Sequence, residues 1–225
     1  WQGLLAHVES NGLKFSTMRR SAIGGSACPP AMIRKFLDDY GVRVIHAWGM
    51  TETSPLGSVA QVKATLRDAG EDEHYRVRAT QGMPVPFVDI RAIGDAGECA
   101  WDGKTMGELQ VRGPWVASDY HHGPGDDEDW SGKWTADGWF RTGDVGKWDA
   151  NGYLSIVGRS KDLIISGGYN VYPAEIEGYI NELPGVLESA LVGVPHPDFG
   201  EVGVAVVVAR PGATVQPEAV IADLK

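Results

Sequence analysis

The 225-residue sequence is poor in cysteine: Cys28 and Cys99 stand far apart and form no CxxC pair. That scarcity excludes a disulfide scaffold and points to free thiols in a reducing cytoplasm. Long apolar runs are missing, since no stretch approaches the roughly 18 residues that a membrane-spanning helix needs. Positive charge is also short, with 20 Lys and Arg against 30 Asp and Glu and a formal net charge of −10. Nucleic acid and anionic membrane both select a basic face, so neither is an expected partner. No GxxxxGK[ST] phosphate loop and no HExxH metal pair occurs. The sequence starts at Trp1 rather than at an initiator methionine, and no signal peptide is expected ahead of it. Pro217–Lys225 reads as the first turns of a helix that stops, so both ends are expected to be cuts through a longer protein.

Glycine is abundant instead, 30 residues of 225, nearly twice the usual share of roughly 7%. Scattered singly and in pairs, these glycines predict tight turns and places of close backbone approach. The acidic run Asp126-Asp127-Glu128-Asp129 lacks the ligand order of a calcium loop and reads as a solvated loop. His121-His122 are adjacent, a poor geometry for chelating one ion, and His196 between two prolines reads as a turn residue.

Pro29 and Pro30 introduce an amphipathic helix with Met32, Ile33, Phe36 and Leu37 on one face. Gly41 ends it, and Val42–Ala47 follows as a β-branched strand, which predicts α/β architecture. The polar stretch 61–81 reads as a surface excursion. Val88–Ile93 and Glu108–Arg112 alternate like strands and predict a β-rich subdomain. Beyond Gly152 the elements shorten: strands at Tyr153–Val157 and Leu163–Ile165, a helix opened by Pro173, strands at Leu187–Val194 and Val202–Ala209. The expected fold is an α/β large-domain portion with a β-rich subdomain, followed by a truncated small α+β C-terminal domain.

Four clusters could carry chemistry. Trp48-Gly49-Met50-Thr51-Glu52-Thr53 follows a strand, where α/β folds bind ligands. Thr51 could meet a phosphate and Glu52 a hard cation such as Mg²⁺. On these residues alone, capping by Thr51 or Thr53 is the stronger reading. Ile23-Gly24-Gly25-Ser26-Ala27 allows close approach to a planar ring or a phosphate, or is an ordinary turn. In Trp139-Phe140-Arg141-Thr142-Gly143-Asp144, the Asp could accept two hydrogen bonds from a ribose diol or could serve a turn. Gly158-Arg159-Ser160-Lys161-Asp162, with Gly167-Gly168 downstream, suits a linker that absorbs backbone rotation, or a β-hairpin connection with surface charge.

Taken in order, GGSA, WGMTET, GELQVRGPWVASDY, GWFRTGD and GRSKDLIISGGYNVYPAEIE resemble the adenylate-forming superfamily of acyl-CoA synthetases, luciferase-like enzymes and adenylation domains. The matched pieces span Gly24 to Glu177, and the flanking segments fit as well. The resemblance implies that ATP and a carboxylic acid form an acyl-adenylate, from which coenzyme A displaces AMP. It implies that Gly25, Ser26 and Ala27 line the adenine, with Trp48 stacking on it and Gly49 and Met50 beside it. Thr51 would contact phosphate, Glu52 would coordinate Mg²⁺, and Asp144 with Arg159 would hold the ribose. Lys161 would be the pivot between half-reactions, and Gly167 and Gly168 would line the coenzyme A channel. Residues 1–159 would belong to the large AMP-binding domain and 160–225 to the small mobile one. A cytoplasmic location is implied, and a homodimer of the full-length protein stays open.

The departures from the family pattern carry expectations of their own. A phosphate loop expected upstream of Trp1 and a lysine near the family's C-terminus are absent, and Lys225 lacks the motif around that lysine. The chain alone is therefore expected not to form acyl-adenylate. His46–Gly57, with the long excursion to Gln81, resembles medium- and long-chain fatty acyl-CoA synthetases, and Gly49, Met50, Pro55 and Leu56 offer an apolar wall without an Arg for a second carboxylate. The segments Gly168–Pro173 and Val194–Glu201 resemble malonyl-CoA synthetases instead. The large-domain part favours a fatty or other apolar acid. A carrier-loading adenylation domain and a non-catalytic nucleotide-binding fragment are the alternative readings.

Overall fold

A computed structural model describes residues 1–26, 28–121, 123 and 130–224. The acidic run 126–129, His122, Ala27 and Lys225 lie outside the described residues. The chain divides into two compact units, Trp1–Thr142 with Lys147–Ser155, and Gly143–Gly146 with Ile156–Lys225.

The first unit opens with α1 (Gln2–Ser10), β1 (Arg20–Ile23), α2 (Pro30–Tyr40) and β2 (Arg43–Trp48). Pro30 presets the first turn of α2, and Gly41 caps its end in the left-handed conformation at φ 64°. The face predicted for α2 is the packed one. Ile33 and Phe36 are buried with Ile23, Val42 and Val44, and Met32 and Leu37 pack at the edge of that core. β1 and β2 run parallel with Ile23 opposite His46. Along β2, Val44, His46 and Trp48 are buried while Arg43, Ile45 and Ala47 are more open.

Next come β3 (Ser58–Val59), α3 (Glu71–Ala79) and β4 (Met83–Pro84), giving a sheet in the order β1-β2-β3-β4. The stretch 61–81 is thus more than a surface excursion. Tyr75 is buried in the α2 core and its phenol donates to Asp38. The guanidiniums of Arg34 and Arg78 lie 4.1 and 5.6 Å from the Tyr75 ring centroid. Charged side chains roof an aromatic anchor there, which makes a packed helix look solvated in sequence.

The β-rich part comprises β5 (Asp89–Gly94), β6 (Gly97–Glu98), β7 (Gly107–Arg112), β8 (Phe140–Trp148) and β9 (Leu154–Arg159), in the order β6-β5-β7-β8-β9. β5 and β7 are antiparallel from Asp89 opposite Arg112 to Ile93 opposite Glu108. Leu109 and Val111 on β7 are fully buried.

The second unit continues with β10 (Ile164–Ser166), β11 (Tyr169–Val171), α4 (Pro173–Glu182), β12 (Val186–His196), β13 (Gly200–Ala209) and α5 (Pro217–Asp223). Its sheet runs β11-β10-β13-β12, and Ile180 of α4, Val186 of β12 and Val220 of α5 form the core. An α/β portion with a β-rich part, then a small α+β unit, is the architecture expected from the sequence. No helix among the described residues is long and apolar enough to cross a membrane.

Candidate functional site

Parallel pairing brings the carboxyl ends of β1 and β2 side by side, so Gly24–Ser26 and Gly49–Thr53 are neighbours. Both glycines of the first loop have a structural reason. A Cβ on Gly24 would stand 3.0 Å from the Ala47 carbonyl oxygen, and Gly25 takes φ 81°. Ser26 beside them is exposed. Trp48 is only 8% exposed, with its ring against Gly57.

After Gly49 the chain makes a 3₁₀ turn, Thr51–Thr53, preceded by Met50. The two threonines, interchangeable in sequence, separate here. Thr53 is fully buried, and its hydroxyl accepts from the Met50 N–H at 2.9 Å and lies 2.8 Å from the Pro55 carbonyl oxygen. Thr53 therefore does the capping. Thr51 is exposed, and among the described residues its hydroxyl has no hydrogen-bond partner.

Glu52 is anchored twice. The Ala117 N–H donates to its carbonyl at 2.8 Å, and the Tyr120 phenol donates to its Oε1 at 2.5 Å. Burial, and then the carboxylate beside it, push the Tyr120 phenol up to about 12, so it stays a donor at neutral pH. The rings of Trp130 and Trp134 lie 4.8 and 5.4 Å from Tyr120 and hold it in place. Tyr120 was not singled out from the sequence, although it closes the matched segment GELQVRGPWVASDY. The available signal is chemical: a tyrosine among aromatics tends to bury its ring and must then find its hydroxyl a partner.

Glu52 Oε2 has no partner among the described residues. No cluster of three His, Cys, Asp or Glu suited to a metal occurs among them. One free carboxylate oxygen beside an exposed hydroxyl still fits Mg²⁺, which keeps several waters and takes its other ligands from substrate phosphates.

Behind the loop, Cys28 and His46 are buried, and the Cys28 N–H donates to His46 Nε2 at 3.3 Å. Desolvation lowers the His46 pKa and raises the Cys28 thiol to about 11. A thiol held there carries about 100-fold less thiolate than an exposed one below pH 8. Native-state alkylation of Cys28 at pH 7.5, followed by peptide mass spectrometry, should therefore lag about 100-fold behind alkylation of the unfolded chain. Equal rates would show that the thiol is not desolvated.

In the second unit, Asp144 lies within strand β8 rather than in a turn, and is 6% exposed. Its Oδ1 is 2.8 Å from Arg159 Nε, and the Ser160 hydroxyl donates to the Gly143 carbonyl at 3.2 Å. This brings two predicted ribose contacts together. Lys161 is exposed in the 3₁₀ turn Ser160–Asp162 that joins β9 to β10. With Arg159 it lines a cavity of about 520 Å³ that also reaches Pro173, Glu177 and Glu201. Gly167 and Gly168, at φ 57° and 85°, form the two-residue turn between β10 and β11. That hairpin alone explains both glycines, and neither lines this cavity. His196 accepts from the Asp198 N–H at 3.2 Å through Nδ1, a turn residue as expected.

A glycine loop, an exposed hydroxyl and a tethered carboxylate stand at the carboxyl ends of parallel strands, the place where α/β folds bind ligands. Residues 1–121 match the model of the AMP-binding enzyme family, and residues 175–225 that of the AMP-binding enzyme C-terminal domain. The chain belongs to the AMP-binding enzyme family. It is 42% identical over 202 residues to 3-methylmercaptopropionyl-CoA ligase of Ruegeria lacuscaerulensis, covering 89% of this chain and 36% of the relative. It is 40% identical over 214 residues to medium-chain-fatty-acid–CoA ligase of Ectopseudomonas oleovorans, covering 95% and 38%. Among solved structures, ATP-bound MatB from Rhodopseudomonas palustris superposes with a TM-score of 0.76 at 37% identity, covering 90% of this chain and 38% of that one. The chain thus spans less than two fifths of the length of these relatives.

Proposed function

We propose that the chain is part of an ATP-dependent acyl-CoA synthetase that adenylates a carboxylic acid and passes the acyl group to coenzyme A. The observation that carries this reading is the pair Thr51 and Glu52, one hydroxyl free and one carboxylate tethered, beside the Gly24–Ser26 loop. The CoA-ligase names of the relatives support it. In this reading Gly25, Ser26, Ala27, Trp48, Gly49 and Met50 receive the adenine, and Thr51 donates to a phosphate oxygen. Glu52 Oε2 holds Mg²⁺, which, when bound, offsets negative charge gathering at the α-phosphate. Asp144, oriented by Arg159, accepts from the ribose hydroxyls.

A carboxylate is a poor electrophile, and joining it to AMP supplies a good leaving group for the thiol. Two half-reactions then ask for different residues at one phosphorus–carbonyl centre, which a pivot at Lys161 would supply. Residues 1–159 would form the large domain and 160–225 the mobile one, with Gly167 and Gly168 along the path of coenzyme A. Met50 and Leu56 pack against Val85, Val111 and Phe140, an apolar surround that supports a fatty or other uncharged acyl group. The cytoplasm, where ATP and coenzyme A are both present, is the proposed location.

The test is equilibrium binding of AMP and ATP with and without Mg²⁺. The chain should bind AMP, and Mg²⁺ should tighten ATP in the wild type but not in Glu52→Gln. Failure to bind either nucleotide, or an undiminished Mg²⁺ effect in Glu52→Gln, would sink this assignment. Acid-dependent pyrophosphate exchange should be undetectable for the chain alone.

A further inference from the structure

One cavity of the first unit, about 350 Å³ in volume, has no carboxylate in its lining but carries Arg20, Arg43, Lys63, Arg67, Arg78 and His74. In a chain of net charge −10 this concentration runs against the average. Arg20 and Arg43 face each other in register at the amino ends of the parallel strands β1 and β2. That is the end of the sheet opposite to Gly24 and Trp48, roughly 10 Å or more away at about 3.3 Å per residue. Like charges placed directly opposite on paired strands repel, and an anion bound between them would relieve that repulsion.

For this facing pair no such anion comes from the described residues. Among the described residues Arg20, Arg43 and Arg67 have no carboxylate partner. Arg78 is 9% exposed, and its Nη1 is buried without a hydrogen bond. The Arg78 ion-pair partner Glu71 stands at 3.7 Å with a side chain 71% exposed. A buried guanidinium N–H left unpaired costs free energy that a bound acceptor would recover. The other two basic groups are already committed. Lys63 donates to the Asn151 carbonyl, and His74 has Nε2 2.8 Å from the Leu66 carbonyl oxygen and Nδ1 3.7 Å from the exposed Glu71 carboxylate that also faces Arg78. Recognition therefore falls to four arginines, whose planar forks match the oxygen pairs of phosphate.

We propose that this cavity is an anion site for a compact phosphate or diphosphate group, separate from the residues assigned to adenine, ribose and Mg²⁺. The inference stands whether or not the ligase reading holds. Calorimetry of the chain at low salt, with inorganic pyrophosphate and with inorganic phosphate as probes, tests it. Pyrophosphate should bind saturably, with phosphate weaker. Arg43→Ser with Arg67→Ser should weaken pyrophosphate about 100-fold, roughly tenfold for each charge-assisted bond lost, while Lys104→Ser, which removes an exposed charge outside the cavity lining, leaves it unchanged. Circular dichroism checks folding. Should the double variant not fold, Arg43→Lys with Arg67→Lys keeps charge but removes the forks, and should weaken binding about tenfold. Hydrogen exchange should slow at residues 43–45 and 63–67 when pyrophosphate is added. Absence of saturable binding, full binding by the arginine variants, or an equal loss of binding in Lys104→Ser would each overturn the proposal.

Discussion

Gly82→Ala should strongly destabilise the first unit. Gly82 sits at φ 83°, and an added Cβ would lie 1.8 Å from the Val59 carbonyl oxygen, 2.0 Å from its carbon and 2.2 Å from the Ala60 nitrogen. All three obstacles are backbone, so no side chain can swing aside. The surroundings are pinned as well. Gln81 donates to the Leu154 carbonyl at 2.8 Å, Leu154 donates to the Gly82 carbonyl at 2.7 Å, and the Ser58 hydroxyl donates to the Gln81 carbonyl at 2.7 Å. A left-handed non-glycine residue costs about 1–2 kcal/mol and overpacking about 1–3 kcal/mol, so about 4 kcal/mol is expected. That is a large part of the 5–15 kcal/mol typical of a whole domain. Thermal melts should drop by about 10 °C or more. Gly12→Ala is the matched control, because Gly12 has φ 60° but nothing within 4 Å of its Cβ. Equal melting of the two variants would refute the close-approach argument.

Asp144→Ala should weaken AMP binding by at least about 100-fold. Two hydrogen bonds from a ribose diol to an ionised carboxylate contribute roughly 1.5–3 kcal/mol each when shielded from water. Asp144 is 6% exposed, so the shielding exists, and Arg159 at 2.8 Å fixes the carboxylate plane. Arg159 is itself about half exposed, so Arg159→Ala should cost less, about tenfold. Calorimetric titration with AMP, alongside circular dichroism of each variant, reads both. Unchanged affinity in a folded Asp144→Ala protein would remove Asp144 from the ribose role.

The legible parts of the fold were those written in local chemistry. α2 announced itself through Pro30, a 3.6-residue apolar stripe and Gly41. Two consecutive glycines mark the β10–β11 turn as well, but they were expected to approach a ligand, and the strand Tyr169–Val171 beyond them was not expected. α3 was obscured because its anchor Tyr75 is a single aromatic roofed by arginines from two helices. The candidate site was legible by residue type and less so by role. Thr51 and Thr53 differ only in which way a 3₁₀ turn faces, which no spacing rule encodes. Tyr120 meets Glu52 across 68 residues of chain, and Arg20 meets Arg43 only through a parallel register. Both are long-range pairings that local patterns do not contain.

The tether on Glu52 has a thermodynamic consequence. A free glutamate has three rotatable side-chain bonds, and stilling them at the moment of cation capture would weaken that capture. Here the Tyr120 phenol holds Oε1, so that rotational freedom is already lost when the chain folds. A hard cation arriving with its phosphates would meet a carboxylate that has little left to lose.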